Sequence, residues 1–77
     1  MAPSIYKRLK HLIVDYGVDE DDISLDTSFI DDLNLDPIDL GDLFLTVEEE
    51  FEIEVPDEDA RRLLTVRELV EYIEDQL

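Results

Sequence analysis

The stretch "NLDPIDLGDLF", residues 34–44, sets the start of the central helix. Asp36 can accept hydrogen bonds from the free N–H groups of a first helical turn, and Asp39 is a weaker form of the acid that completes a capping box. Pro37 falls at the first helical position, where its missing N–H would have had no intrahelical partner and its fixed φ is already helical. Taken alone, this stretch predicts a well-capped helix start.

Helical periodicity continues beyond this start. Apolar residues recur at the spacing of one helix face, namely Leu40, Leu43, Phe44, Val47 and Phe51. The motif "EVPDE", residues 54–58, ends the pattern, because the residue before a proline is pushed out of helical geometry. The second helix of the chain is therefore predicted from about Pro37 to about Ile53.

Two further long helices flank this one. In the helix before it, Ser4 is a candidate N-cap and Gly17 is a candidate C-terminal stop. The apolar stripe of this first helix consists of Ile5, Leu9, Leu12, Ile13 and Tyr16. After it, Thr65 and Glu68 form a capping box, and the apolar face consists of Val66, Leu69, Val70, Ile73 and Leu77. A short helical turn is predicted around residues 57–63, with acids at its positive end.

Residues 18–35 have no sustained period, although apolar residues occur among turn-forming ones. These apolar residues, which we expect to hold a long loop against the core, are Val18, Ile23, Leu25, Phe29 and Leu33. The predicted fold class is all-α: a four-helix bundle of three long helices and one short one, with a long loop between helices one and two. The prediction is a single domain spanning residues 1–77.

Length and charge limit the possible functions. The chain has 77 residues, no cysteine and a net charge of −17, and no Lys or Arg occurs from His11 to Ala60. Such a field repels nucleic acid and anionic membranes and attracts basic protein surfaces. A chain this short can barely enclose a catalytic pocket, so an enzyme is not expected. The absence of an apolar run long enough to cross a bilayer, and of a signal peptide, predicts a cytoplasmic protein.

Two local motifs do not support catalysis or metal binding. His11 is the sole histidine, and a helical wheel places it away from the core stripe, as expected of a surface residue. Asp32, Asn34 and Asp36 alternate as in a calcium loop, but Pro37 replaces the glycine and Leu43 the glutamate that such a loop needs. No specific metal site is predicted.

The predicted solvent face of helix two is itself a stripe. It alternates apolar residues and acids, namely Ile38, Asp42, Leu45, Glu49 and Glu52. Exposed apolar residues surrounded by carboxylates suit a protein partner whose basic rim encloses a small apolar patch. The alternative is an ordinary solvated acidic face with two isolated surface hydrophobes.

The run "FIDDLNLDPIDLGDLFLTVEEEFEIEVPDEDARRLLTV", residues 29–66, resembles the acyl carrier proteins of fatty-acid and polyketide synthesis. Their pattern is a Phe and an acidic pair before Leu, an Asp-Ser-Leu helix start, Glu-Glu-Glu-Phe, an Ile-Pro-Asp turn and a final Thr-Val helix start. The resemblance implies a four-helix bundle whose second helix is the surface that partner enzymes recognise. It places Asp36, Asp39, Asp42, Glu48 and Glu49 on the family's partner-binding acids, and Ile38 and Leu45 on its apolar contacts.

The chain departs from this resemblance at Pro37, which falls where the family has a serine that carries 4'-phosphopantetheine. Proline has no hydroxyl, so the resemblance predicts no cofactor at this site; 4'-phosphopantetheine is expected only if the serine were present. Four other hydroxyls could be considered, those of Ser24, Thr27, Ser28 and Thr46, but none is predicted at the start of helix two.

Three hypotheses remain. The chain is a monomeric, acidic docking module that binds the basic surfaces of carrier-recognising enzymes, or a dedicated protein partner, without carrying an acyl group. Alternatively, it is a version of a working carrier in which the attachment serine has been replaced. A hypothesis of another class is an acidic mimic of nucleic acid that occupies a basic groove. The role of Gly41 inside helix two stays open, as does the ability of the core to hold an acyl chain.

Overall fold

The chain folds into four α-helices joined by loops. The computed structural model describes residues 4–77, within which no β-strand occurs. The helices are α1 (Ile5–Val14), α2 (Pro37–Phe51), α3 (Asp57–Ala60) and α4 (Val66–Gln76). The all-α class, with three long helices and one short one, is confirmed. A 3-10 turn at Glu20–Asp22, which the sequence did not predict, lies in the first loop.

The predicted caps fix the starts of α1 and α4. The Ser4 side chain accepts a hydrogen bond from the Lys7 backbone N–H at 3.2 Å. At α4, the Glu68 N–H donates to Thr65 Oγ1 at 3.3 Å, and the Thr65 N–H donates to Glu68 Oε1 at 3.1 Å. Both halves of the predicted capping box are therefore present, so local sequence determines where α4 begins.

The helix ends differ from the predictions by two to three residues. Helix α1 ends at Val14. A turn follows over residues 15–17, and its last residue, Gly17, has a positive φ of +87°. Helix α2 ends at Phe51 instead of Ile53, because Glu52 adopts a left-handed φ of 55° and acts as the C-cap. Helix α3 stops at Ala60, short of the predicted residue 63.

The buried core contains apolar residues from both the long helices and the first loop. From the loop, Ile23, Phe29 and Leu35 are buried, and the rings of Phe29 and Phe44 meet edge to face with centroids 6.3 Å apart. The prediction that the loop packs on the core is therefore confirmed. Leu40 is half-buried and packs against the core, as predicted. One assignment to the core face was wrong: Leu77 is 68% exposed because α4 has ended before it.

Hydrogen bonds also join the first loop to the start of α4. Phe29 N–H donates to the Leu64 carbonyl at 3.1 Å, and Val66 N–H donates to the Thr27 carbonyl at 3.0 Å. The Arg67 guanidinium pairs with Asp26 at 3.0 Å across the same junction. Within residues 4–77, no helix has the length and apolar character required to span a membrane.

Gly41 provides a first prediction about stability. It is exposed within α2, and a Cβ added there would meet no atom within 4 Å. Since packing does not require a glycine, Gly41→Ala is expected to raise the free energy of unfolding by about 1 kcal/mol, the difference in helix propensity. Urea denaturation followed by circular dichroism measures this. Gly17→Ala is the control and should destabilise, because φ is positive there; a destabilised Gly41→Ala chain would contradict the prediction.

Tyr72 provides a prediction about pH. Its hydroxyl on α4 donates to Asp59 Oδ2 of α3 at 2.7 Å, and this bond, with burial, raises the pKa of Tyr72 to about 12 from its ordinary 10.0. Because the folded pKa is the higher one, this contribution to stability is complete below pH 10 and is lost as pH rises to about 12.

The measurement compares the unchanged chain with Tyr72→Phe. We expect the unchanged chain to be the more stable at pH 8, and the difference in the free energy of unfolding to shrink between about pH 10 and pH 12. Urea denaturation at several pH values gives both curves. A difference that stays constant throughout this window would show that the Tyr72–Asp59 bond does not control the titration.

Candidate docking site

Helix α2 presents an exposed face on which two apolar side chains lie among acids. Ile38 is 82% exposed and Leu45 is 59% exposed. They are seven positions apart, which corresponds to about 10.5 Å along an α-helix. Asp42 and Glu49, which share this face, are exposed as the sequence predicted. We call the set of Ile38, Asp39, Asp42, Leu45 and Glu49 the α2 face.

Asp36 and Pro37 build the start of this face. Asp36 Oδ1 accepts a hydrogen bond from the Asp39 N–H at 2.8 Å, and the Asp36 carbonyl accepts from Leu40 N–H at 2.9 Å. Pro37 is the first helical residue and is exposed to solvent. In the described part of the chain, the Asp39 carboxylate returns no bond to the Asp36 N–H, so only half of a capping box forms.

Asp42 is held in place by Tyr16, which lies in the turn that follows α1. The Tyr16 hydroxyl donates to Asp42 Oδ2 at 3.1 Å and lies 3.3 Å from Thr46 Oγ1. Burial is the main cause that raises the pKa of Tyr16, and its hydrogen bond to Asp42 raises it further. The sequence placed Tyr16 in the apolar stripe and gave no signal that its hydroxyl would reach the acidic face.

Glu48 differs from the other predicted partner acids. It is half-buried, and its Oε2 accepts a hydrogen bond from Val55 N–H at 3.1 Å. Its carboxylate thereby helps to close the turn between α2 and α3. Asp39 and Glu49, by contrast, are exposed, and across residues 4–77 neither carboxylate accepts a hydrogen bond from another residue.

A groove of about 440 Å³ runs between α2 and α3, next to the α2 face. Its apolar lining includes Pro37, Leu40, Phe44, Leu45, Val55 and Ala60. Glu48, Asp57 and Arg61 provide its charged groups. The groove therefore starts at the first residue of α2 and continues to α3, with one cation among its acids.

Comparison with known proteins identifies the family. A family model described as "Phosphopantetheine attachment site" matches residues 7–73. An acyl carrier protein of Bdellovibrio bacteriovorus is 44% identical over 72 residues, which cover 92% of each chain. An acyl carrier protein of Clostridium perfringens is 46% identical over 70 residues, which cover 90% of this chain and 92% of the relative. The chain belongs to the acyl carrier protein family.

Membership in the acyl carrier protein family makes the hydroxyls near α2 the groups of interest. Ser24 Oγ lies 3.0 Å from Thr27 Oγ1, and Thr27 Oγ1 donates to a loop carbonyl. Ser28 Oγ accepts a hydrogen bond from the Asp31 N–H, and Thr46 Oγ1 donates to the carbonyl one turn earlier in α2. All four hydroxyls take part in local bonds, and none belongs to the first turn of α2.

Proposed function

We propose that this member of the acyl carrier protein family is a docking module without a phosphopantetheine arm. The observation that carries the proposal is Pro37, which is exposed at the first residue of α2, where the resemblance to the family calls for the attachment serine. An arm joined through a phosphodiester needs a side-chain oxygen, and a proline ring has none. The module therefore presents its α2 face but holds no acyl group at this site.

The α2 face has the properties of a protein-binding surface. Asp36, Asp39, Asp42 and Glu49 steer a basic partner towards it, because opposite charges accelerate encounter. Ile38 and Leu45 then lose their contact with water at the centre of the interface. Glu48 contributes from the edge of the face, since its carboxylate also supports the turn before α3.

The partners in this proposal are enzymes that recognise carriers in fatty-acid or polyketide synthesis, or a dedicated protein with a similar basic surface. The chain acts as a single-domain cytoplasmic monomer of residues 1–77 and is not itself a catalyst. Its charge of −17 disfavours nucleic acid and anionic membranes as partners.

A second candidate is a working carrier in which the attachment serine has been replaced by Pro37. The relatives of Bdellovibrio bacteriovorus and Clostridium perfringens favour it, because both are named acyl carrier proteins and align over nine-tenths of this chain. Both candidates use the same α2 face, and they differ in whether the protein has a role of its own without an arm.

Binding to a broad-specificity phosphopantetheinyl transferase tests the docking proposal. Glu49→Lys, which reverses one charge of the α2 face, should weaken binding about tenfold at low salt, equivalent to about 1.4 kcal/mol. Glu74→Lys is the matched control, because Glu74 is an exposed acid of α4, and it should change binding less than about twofold. Surface plasmon resonance measures both; equal effects of the two reversals would refute docking through α2.

A further inference from the structure

Arg61 introduces a positive charge beside the acidic α2 face. Arg61 is exposed and is the C-cap of α3. Its backbone N–H donates to the Asp57 carbonyl at 3.2 Å, which leaves the guanidinium out of this bond. It also lines the groove to which Pro37 and Leu45 contribute from α2. A partner that covers Leu45 and extends across this groove therefore meets the Arg61 guanidinium.

Among residues 4–77, Arg61 forms no ion pair with an acid of the fold. Three ion pairs occur among residues 4–77, and they use Arg8, Lys10 and Arg67. Arg61 takes part in none of them, although the chain contains 23 acidic residues and 6 Lys and Arg residues. A guanidinium has five N–H donors in a planar fork that matches a carboxylate, so Arg61 remains available to an acid outside the fold.

We propose that Arg61 determines the specificity of the docking site by pairing with a carboxylate of the partner protein. The inference rests on the proposed function of the α2 face and adds the charge pattern of the partner. That partner places Lys or Arg opposite Asp39 and Glu49, and an Asp or Glu opposite Arg61. A partner that is basic over its whole contact surface is disfavoured, because like charges then face each other at Arg61.

Arg62 provides a matched control for this proposal. It follows Arg61 directly, is also exposed, and forms no ion pair within the described residues. Unlike Arg61, it is not among the groove-lining residues. Reversing either charge changes the net charge of the chain equally, so a difference between the two variants reports the local position of Arg61.

The first experiment uses a phosphopantetheinyl transferase whose carrier-binding rim contains Lys and Arg without Asp or Glu. Arg61→Glu should bind this probe about fivefold to tenfold tighter than the unchanged chain, and Arg62→Glu less than about twofold tighter. Circular dichroism confirms that both variants are folded. Equal changes in affinity would overturn the proposal, because they would show an effect of net charge alone.

The second experiment reverses each rim Lys or Arg of the probe to Glu, one at a time. For each probe, the affinity for the unchanged chain is divided by the affinity for Arg61→Glu. At one rim position, the reversal should raise this ratio at least about fivefold above its value for the original probe. Absence of such coupling at every rim position would also overturn the proposal.

Glu49→Lys separates failure of this inference from failure of the proposed function. If Glu49→Lys binds the probe as tightly as the unchanged chain, the α2 face does not dock, and both ideas are wrong. If Glu49→Lys binds more weakly while Arg61→Glu and Arg62→Glu behave alike, the docking face stands and the role of Arg61 is refuted.

Discussion

The Pro37→Ser chain is expected to acquire a phosphopantetheine arm from coenzyme A in the presence of a broad-specificity transferase. The substitution places a hydroxyl at the exposed first residue of α2, between the N-cap Asp36 and the α2 face. A transferase needs coenzyme A aligned with one positioned hydroxyl oxygen, and a serine at position 37 would provide that oxygen. The change from no measurable loading to complete loading is the largest effect that we predict for any single substitution.

Two control variants test whether loading requires a hydroxyl at position 37 itself. Pro37→Ala removes the ring without adding an oxygen, and it should remain unmodified. Ile38→Ser keeps Pro37, adds a hydroxyl one residue later, about 100° further around the helix, and should also remain unmodified. Because Ile38 belongs to the α2 face, the binding of this variant to the transferase is measured beside its mass. Intact-mass spectrometry measures all three chains. If Pro37→Ser gains no mass while a conventional acyl carrier protein is loaded under the same conditions, then Pro37 does not occupy the attachment position.

The Phe29→Ala chain is expected to lose about 3–5 kcal/mol of stability. Phe29 is fully buried and packs edge to face on Phe44, so its removal leaves a cavity between the first loop and α2. A domain of this length has a free energy of unfolding of about 4–12 kcal/mol, so the variant is at the limit of folding. Urea denaturation of the two chains measures the loss.

Ile30→Ala is the matched control for this measurement. Ile30 is the next residue in the chain, but its side chain is 51% exposed, so its removal should cost less than about 1 kcal/mol. If Phe29→Ala and Ile30→Ala are equally stable, the first loop is not held by the core in the way that the burial of Phe29 indicates.

Helix starts could be predicted from the sequence because their causes are local. Ser4, Asp36 and Thr65 each cap a helix within three residues of their own position, so a short stretch contains all the necessary information. The ends of α1 and α2 were less predictable. They depend on which turn bonds close each helix, such as the bond from Gly17 N–H to the Val14 carbonyl, and on the left-handed conformation of Glu52, which a sequence pattern does not reveal.

The α2 face could be placed from helical periodicity, since a single helix determines which residues share a side. Contacts between distant parts of the chain could not. Tyr16 reaches Asp42 across 26 positions of sequence, and the Glu48 carboxylate bonds to the backbone beyond the end of its helix. The position of Arg61 beside the groove likewise depends on how α3 packs against α2.

A competition assay tests most directly whether the chain docks as a carrier without accepting an arm. A broad-specificity transferase loads a conventional acyl carrier protein from coenzyme A while the unchanged chain is added in increasing excess, and intact-mass spectrometry follows both proteins. The docking proposal predicts that loading of the conventional carrier slows, that this chain keeps its own mass, and that Glu49→Lys competes less well. A gain of mass on the unchanged chain, or a loading rate that is indifferent to its excess, would contradict the proposal.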